Sequence, residues 1–585
     1  MKSKRLIPTE LQGGYWLAPL TDNGALQLFS RRPADLPVDI KDIGSQMPTP
    51  HRSYCRVNSK FAMIVGRPQE LILVGGEIHT LEVLVSQQQA IGTPYYSAVK
   101  DILFYCTHNP ESYESSLEAI DMTTRERVNI FTTPGYILEF TPKPNGLEIA
   151  VIITTNHLIP RQSNQMLRLK DTGKWSVFKT YKKAKYFYSS PNFSPSGEYF
   201  CYTTTKMNAS YLNIEHKYPT LSCKAAAPEG EWGNCQPTVP NSQLVFCGEK
   251  KIYTTLTHKA VTSMWEIDAS NPGHPQVVSK TKNQDQVFEI SAVGTQLEIL
   301  KAHGHQSPTL NLIQTEKPDK PAVIGLKTYP QHIQTDIESL TTYSWFYGIK
   351  DKKKTPLIIL IPNGPHSCSV PALAHKAHKF NQRGYAVCYI NYPGSSGYGY
   401  NYEVAIRDKL DTLPSKCVKN TIINLKALGL VQPTAVIAWG GGIGGFITLQ
   451  TMIQFPDLLT SAIAVYPILD LSDYYRNSSQ QKKRHLEFLL GPFDSYTWKA
   501  RSPLLQAAKI RQPLLLIQTK ESKYSSIATG GKFYDNISEK SSCHYQIIGQ
   551  KDTFKSEGDW QEYEKISSEF LKNRHKHSNE PFQST

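Results

Sequence analysis

Long apolar runs are missing from this chain. No segment approaches the about 20 residues that a membrane-spanning helix needs. The basic start, Met1-Lys2-Ser3-Lys4-Arg5-Leu6-Ile7, lacks the apolar core of a secretory signal. Cysteine is sparse as well: ten residues are scattered from Cys55 to Cys543, with no C-x-x-C pair and no Cys/His spacing of a metal site. That pattern argues against a disulfide scaffold and a zinc module, so neither metal nor cofactor is expected. Cys201, Cys247 and Cys388 sit inside apolar runs, where cysteine behaves as a small buried hydrophobe. A reducing, cytoplasmic location without membrane attachment is therefore the expectation, with secretion by a signal-independent route left open.

Strong charge patterning is also absent. The formal net charge of +14 and a pI near 9.0 leave room for an acidic partner. However, the basic residues are spread along the chain without aromatic interleaving, so no nucleic-acid partner is expected. The lysine run Lys350-Asp351-Lys352-Lys353-Lys354 reads as a solvated hairpin tip. What is present is ordinary globular composition, 39% hydrophobic and 19% charged, over 585 residues. That length is too great for one hydrophobic core and implies at least two domains.

The first half is rich in short β-type runs broken by Gly, Pro, Asn and Ser. A cadence of turn, apolar strand, turn and second strand recurs. It is clearest at Pro191-Asn192-Phe193-Ser194-Pro195-Ser196-Gly197-Glu198-Tyr199-Phe200-Cys201-Tyr202. Related units begin at Glu139, Gln236 and Ile290, and Leu117–Asp121 and Met264–Asp268 are candidate second strands. A spacing of about 40–55 residues is near the blade length of a propeller, whose sheets cover one another by radial stacking. The expectation is a β-propeller of about seven blades over residues 1–325. A pair of β-sandwiches is the alternative.

Beyond Glu316-Lys317-Pro318-Asp319-Lys320-Pro321 the pattern changes, and Ile337–Tyr347 reads as a strand. Leu357–Ile361 is the continuous apolar run of a strand buried on both faces. Strand-like segments at Tyr385–Ile390, Thr434–Ala438, Ala462–Val465, Pro513–Gln518 and Tyr545–Ile548 alternate with helical ones at Ala372–Asn381 and Val418–Leu428. This alternation implies a doubly wound, mostly parallel sheet over residues 326–573, followed by a flexible tail, 574–585. At its centre lies Trp439-Gly440-Gly441-Gly442-Ile443-Gly444-Gly445, between a buried strand and the helical stretch Phe446–Ile453. Strand, glycine-packed turn and helix are the context of the nucleophile elbow G-x-S-x-G. Gly440 and Gly444 fall on its flanking glycines, and Gly442 falls where its serine belongs.

Several further segments carry a resemblance. They are Gly364-Pro365-His366, Arg383-Gly384-Tyr385-Ala386-Val387, Asn391-Tyr392, Gly394-Ser395-Ser396-Gly397-Tyr398-Gly399, Arg501-Ser502-Pro503 and Pro513-Leu514-Leu515-Leu516. Through them this half resembles the catalytic domain of the prolyl oligopeptidase family of serine peptidases, nearest its acylaminoacyl-peptidase-like and dipeptidyl-peptidase-like branches. The resemblance implies an N-terminal β-propeller and a C-terminal α/β-hydrolase domain, a peptide substrate, and frequent dimerisation through the hydrolase domain. It also places a serine at Gly442, an aspartate at Ser522 in Glu521-Ser522-Lys523, and a histidine at Asp552 in Gly549-Gln550-Lys551-Asp552-Thr553-Phe554. No histidine stands between His544 and His575 to take that last role.

Serine catalysis needs nucleophile, base and orienting acid together, and removing the unit costs on the order of a millionfold in turnover. Replacement at three separate loops therefore implies a pseudoenzyme, with a peptide or protein held in the inter-domain cavity. An oxyanion-hole-like set is expected at Asn363, Gly364 and Ile443, within the elbow of Gly440, Gly441 and Gly444. Two other readings are an active peptidase or esterase with a non-standard site and a propeller-based assembly protein. The first would draw on Ser367, Ser395 or Ser396 with His366, and on Glu521 as acid. His375, His378 and His485 read as ordinary helix or surface residues.

Overall fold

The computed structural model describes most of residues 94–577 and the backbone of short strands between residues 15 and 91. Outside the description lie the remaining early residues, 578–585, and the internal segments 110–111, 156–163, 207–208, 217, 219–221, 229, 233–243, 272–273, 282–284, 294–295, 304–308, 314–329, 350–353, 372–374, 538–540, 551–553 and 555–556. Most of the expected unit at Gln236, all of the Glu316–Pro321 break and most of the lysine run therefore fall outside it. The chain forms two compact units. One comprises Met1–His303, Ser307–Ala322 and Gly397–Tyr400, and the other Gly304–Gln306, Val323–Ser396 and Asn401–Thr585.

In the first unit, antiparallel sheets of three to five strands follow one another along the chain. Among the described residues there are seven, spanning 15–39, 54–86, 90–134, 136–181, 187–226, 231–279 and 285–313. These are the blades of a β-propeller. Phe187–Phe193 and Tyr199–Lys206 pair in one hairpin, and Gly197 supplies the positive φ of its turn. Neighbouring blades bury their apolar faces on each other. Phe104, Leu117 and Ile130 pack on Ile149, Val151 and Leu169. Ala150, Ile152 and Met166 pack on Tyr188, Phe193 and Phe200. Leu212 and Ile214 continue the stack against Ile252 and Ile267, and Met264 continues it against Val287 and Leu297.

The second unit is built on one eight-stranded sheet. Its strands are β1 (Gln331–Ile337), β2 (Leu340–Tyr347), β3 (Leu357–Ile361), β4 (Ala386–Asn391), β5 (Val436–Gly441), β6 (Ser461–Val465), β7 (Leu514–Gln518) and β8 (Cys543–Ile547). They lie in the order β1-β2-β4-β3-β5-β6-β7-β8. β1, β2 and β4 pair antiparallel, and every pairing from β4 through β3 to β8 is parallel. This is an α/β-hydrolase sheet. β3, β6 and β7 are buried at every position, as their apolar runs require. Arg501 anchors the Arg-Ser-Pro segment through paired bonds of 2.6 and 2.7 Å to Asp411, and it also donates to Leu490 O.

Two expectations are corrected. Ile337–Tyr347 is not one strand but the end of β1, a turn with Glu338 at φ 55°, and β2. The turn breaks the run because its backbone enters the left-handed region, which composition does not signal. The closing helix spans Glu557–His577, so residues 574–577 are helical rather than tail. No helix among the described residues is long and apolar enough to cross a membrane.

Candidate functional site

In a parallel sheet the loops leaving the carboxyl ends of the strands converge on one edge, where such folds bind ligands. Here the loop after β3 carries Asn363 and Gly364, and the turn after β5 carries Gly442. The loop after β6 carries Tyr466, and the loop after β7 carries Ser522 and Tyr524. Asp552 belongs to the loop after β8 and lies outside the described residues.

The turn between β5 and the helix Ile443–Gln454 has Gly442 at φ 55°, ψ −120°. This lies outside the ordinary left-handed well and costs a side-chain-bearing residue about 1–3 kcal/mol. Its flanks are glycine for reasons of space. A Cβ on Gly444 would stand 2.5 Å from Ile361 O and 2.6 Å from Pro362 O, and one on Gly440 would stand 2.8 Å from Thr448 Oγ1. Gly442 N–H donates to Val465 O at 2.9 Å, and Gly442 O accepts the first helical bond from Phe446. Packing and backbone bonding thus maintain the turn without any nucleophile.

The space a nucleophile would use is filled. A Cβ on Gly442 would fall inside the contact shell of Asn363 Oδ1, 2.8 Å from Asn363 Cγ and 3.0 Å from Tyr524 Cζ. Asn363 Oδ1 accepts from Ile443 N–H at 3.2 Å, and its Nδ2 donates to Tyr524 Oη at 3.4 Å. Gly364 N–H donates to Pro362 O at 3.0 Å. The backbone donors expected at Ile443 and Gly364 are thus both engaged within the chain. Ser522 Oγ accepts from Tyr524 N–H at 3.3 Å, so the Ser522 side chain shapes the turn that presents Tyr524.

Aromatic rings line this edge. Tyr524 stacks on Tyr466 at 5.7 Å and on Tyr474 at 5.8 Å, and Phe554 meets Tyr466 edge-on. Lys482, in the first turn of the helix Gln480–Leu490, lies 4.5 Å from the Tyr474 ring centre and 5.6 Å from that of Tyr524. Burial, with the like charge of Lys523, lowers its pKa to about 8. The sequence reading missed Tyr466, Tyr474, Lys482 and Tyr524, which stand on separate segments without a shared motif.

The alternative nucleophile–base set looks different in place. Ser395 is fully buried, and its Oγ has no hydrogen-bond partner. Ser367 Oγ donates to Gly364 O, and Glu521 is exposed, its N–H bonded to Gln550 O. His366 Nε2 lies 3.2 Å from His485 Nε2, so one imidazole donates to the other, the direction set by their tautomers. His485, expected as an ordinary helix or surface residue, lies on the helix Gln480–Leu490 and is in addition the partner of a buried ring. Burial first, and the neighbouring His485 second, lower the His366 pKa from its ordinary 6.5 to about 3.

The strand order, the glycine-packed turn and the loops behind it belong to one kind of domain. Residues 371–552 match the prolyl oligopeptidase family. The chain is 28% identical over 205 residues to the acylamino-acid-releasing enzyme of Arabidopsis thaliana, covering 32% of this chain and 26% of that relative. The chain thus matches about a quarter of the length of this curated relative. Solved structures resemble it over nearly its whole length. A Mycobacterium tuberculosis puromycin-hydrolyzing peptidase aligns with TM-score 0.80 at 15% identity, covering 97% of this chain and 94% of that one. A Pyrococcus horikoshii acylaminoacyl peptidase aligns with TM-score 0.68 at 15% identity, covering 95% and 93%. At that identity the likeness is one of fold, and it spans both units. Among the described residues no group of three or more His, Cys, Asp or Glu is placed to hold a metal.

Two predictions follow from the packing at this edge. Gly442→Ser should lower stability by about 1–3 kcal/mol in urea unfolding through crowding and strain. Adding Asn363→Ala should recover part of that loss; an equal loss in the double variant would show that Asn363 does not fill the space. The second concerns pH. His366 is held neutral in the folded chain, whereas the unfolded chain takes up a proton below about 6.5. Its contribution is complete above that pH and is lost as the pH falls towards about 3. Unfolding of His366→Gln followed across this window should show a shallower pH slope than the parent, and an unchanged slope would contradict the assignment.

Proposed function

We propose that this chain is a catalytically inactive relative of the prolyl oligopeptidase family serine peptidases, retained to bind a peptide or protein. The observation that carries this reading is Gly442 at the elbow, with Asn363 and Tyr524 filling the space above it. A serine triad works only as a unit. Here the first position has no side chain, and the second is Ser522, occupied in its own turn. The sequence offers no histidine between His544 and His575 for the third. The closed hydrogen bonds of Ile443 and Gly364 also weigh against a free oxyanion hole. Against a rebuilt dyad stand the burial of Ser395 and the pairing of His366 with His485.

A tyrosine-lined edge is suited to binding: such rings offer apolar contact area and a hydroxyl with little conformational entropy to lose. A peptide or protein at this edge is the partner we propose; no cofactor enters the reading, and self-association through the hydrolase half belongs to the same proposal. The names of the relatives supply the test substrates, an N-acetylated peptide p-nitroanilide and puromycin. The purified chain should release product no faster than buffer. Turnover above buffer that disappears in His366→Ala or Ser395→Ala would replace this reading with that of an active enzyme using a non-standard site.

A further inference from the structure

Lys482 stands apart from the other cations of this edge. Its side chain is half-buried against the Tyr474 and Tyr524 rings, and the charge that acts on it is the like charge of Lys523 rather than a carboxylate. It also lies in the first turn of an eleven-residue helix, where the backbone dipole already presents positive potential. Close by, Tyr474 Oη is buried without a hydrogen-bond partner. Burial and neighbouring Tyr524 raise the Tyr474 pKa, so the hydroxyl keeps its proton and remains a donor. Cation–π contact offsets part of the desolvation of an ammonium but supplies no hydrogen-bond acceptor for its three N–H groups. A half-buried cation at a helix N-terminus, beside a second lysine and an unsatisfied hydroxyl, has the electrostatics of an anion site awaiting its counter-charge.

We propose that Lys482, with Tyr474 and Tyr524 beside it, receives a carboxylate of a bound peptide next to the Gly442 turn. The inference rests on the peptide-binding reading above and adds the chemical end of the ligand that is recognised. Lys482 supplies the charge and Tyr474 a neutral donor. Tyr524, already bonded to Asn363, joins the carboxylate position to the filled elbow. A terminal carboxylate and an Asp or Glu side chain share this chemistry.

The test is calorimetric titration of the full chain with three probes: acetyl-Gly-Phe as the free acid, the same dipeptide as its amide, and acetyl-Asp-Phe amide. The expected result is binding of at least one acid-bearing probe at least tenfold tighter than the neutral amide. Lys482→Gln should abolish that preference and Lys482→Arg should preserve it, with both variants checked for an unchanged unfolding midpoint. Preference for acetyl-Gly-Phe identifies a terminal carboxylate, and preference for acetyl-Asp-Phe amide a side-chain carboxylate. Acid and amide bound equally, or an acid preference that survives Lys482→Gln, would overturn the anion site while leaving peptide binding standing. Failure of all three probes to bind would overturn the anion site as well.

Discussion

The second unit depends on one tight passage, the reversal of the chain from β5 into the helix Ile443–Gln454. The helix begins so close to the end of β3 that Gly444 has no room for a side chain beside Ile361 O and Pro362 O. Gly442 must then adopt φ 55°, ψ −120° to turn the chain. In an active hydrolase this strain is tolerated because it lifts a serine above the sheet. In this chain the same geometry costs less, because glycine is not penalised at positive φ. The passage is therefore compatible with a residue at its apex that has no side chain. The space above this apex is occupied by its neighbours: Asn363 accepts from the helix N–H of Ile443, and Tyr524 lies over the turn.

The resulting edge is aromatic and carries lysine. The loops that hold catalytic side chains in relatives of this fold here hold Asn363, Tyr466, Ser522 and Tyr524, tied together by ring stacking and short-range bonds. Such a surface has hydrogen-bond capacity and apolar area, with Lys482 set among the rings, and these are the features on which the proposed binding function draws.

Much of this architecture was legible in the sequence because it rests on local rules. Continuous apolar runs such as Leu357–Ile361 mark strands buried on both faces, and the Gly440–Gly445 stretch marks the passage to the helix. The Pro191–Tyr202 cadence marks a blade hairpin. The filling of the elbow was not legible. Asn363, Gly442 and Tyr524 are far apart in the chain and meet only because β3, β5 and β7 run parallel with their carboxyl ends together. The His366–His485 pair, 119 residues apart, is hidden for the same reason. The hairpin of β1 and β2 escaped because its turn uses Glu338, a residue without turn chemistry of its own.

The central claim is that no nucleophile stands ready at this edge. It is tested most directly by the intact mass of the chain after exposure to a fluorophosphonate, which captures serines activated by a neighbouring base. An unchanged mass, under conditions that label an active relative fully, is the predicted result. A stoichiometric adduct mapped to one serine of the second unit would contradict the account.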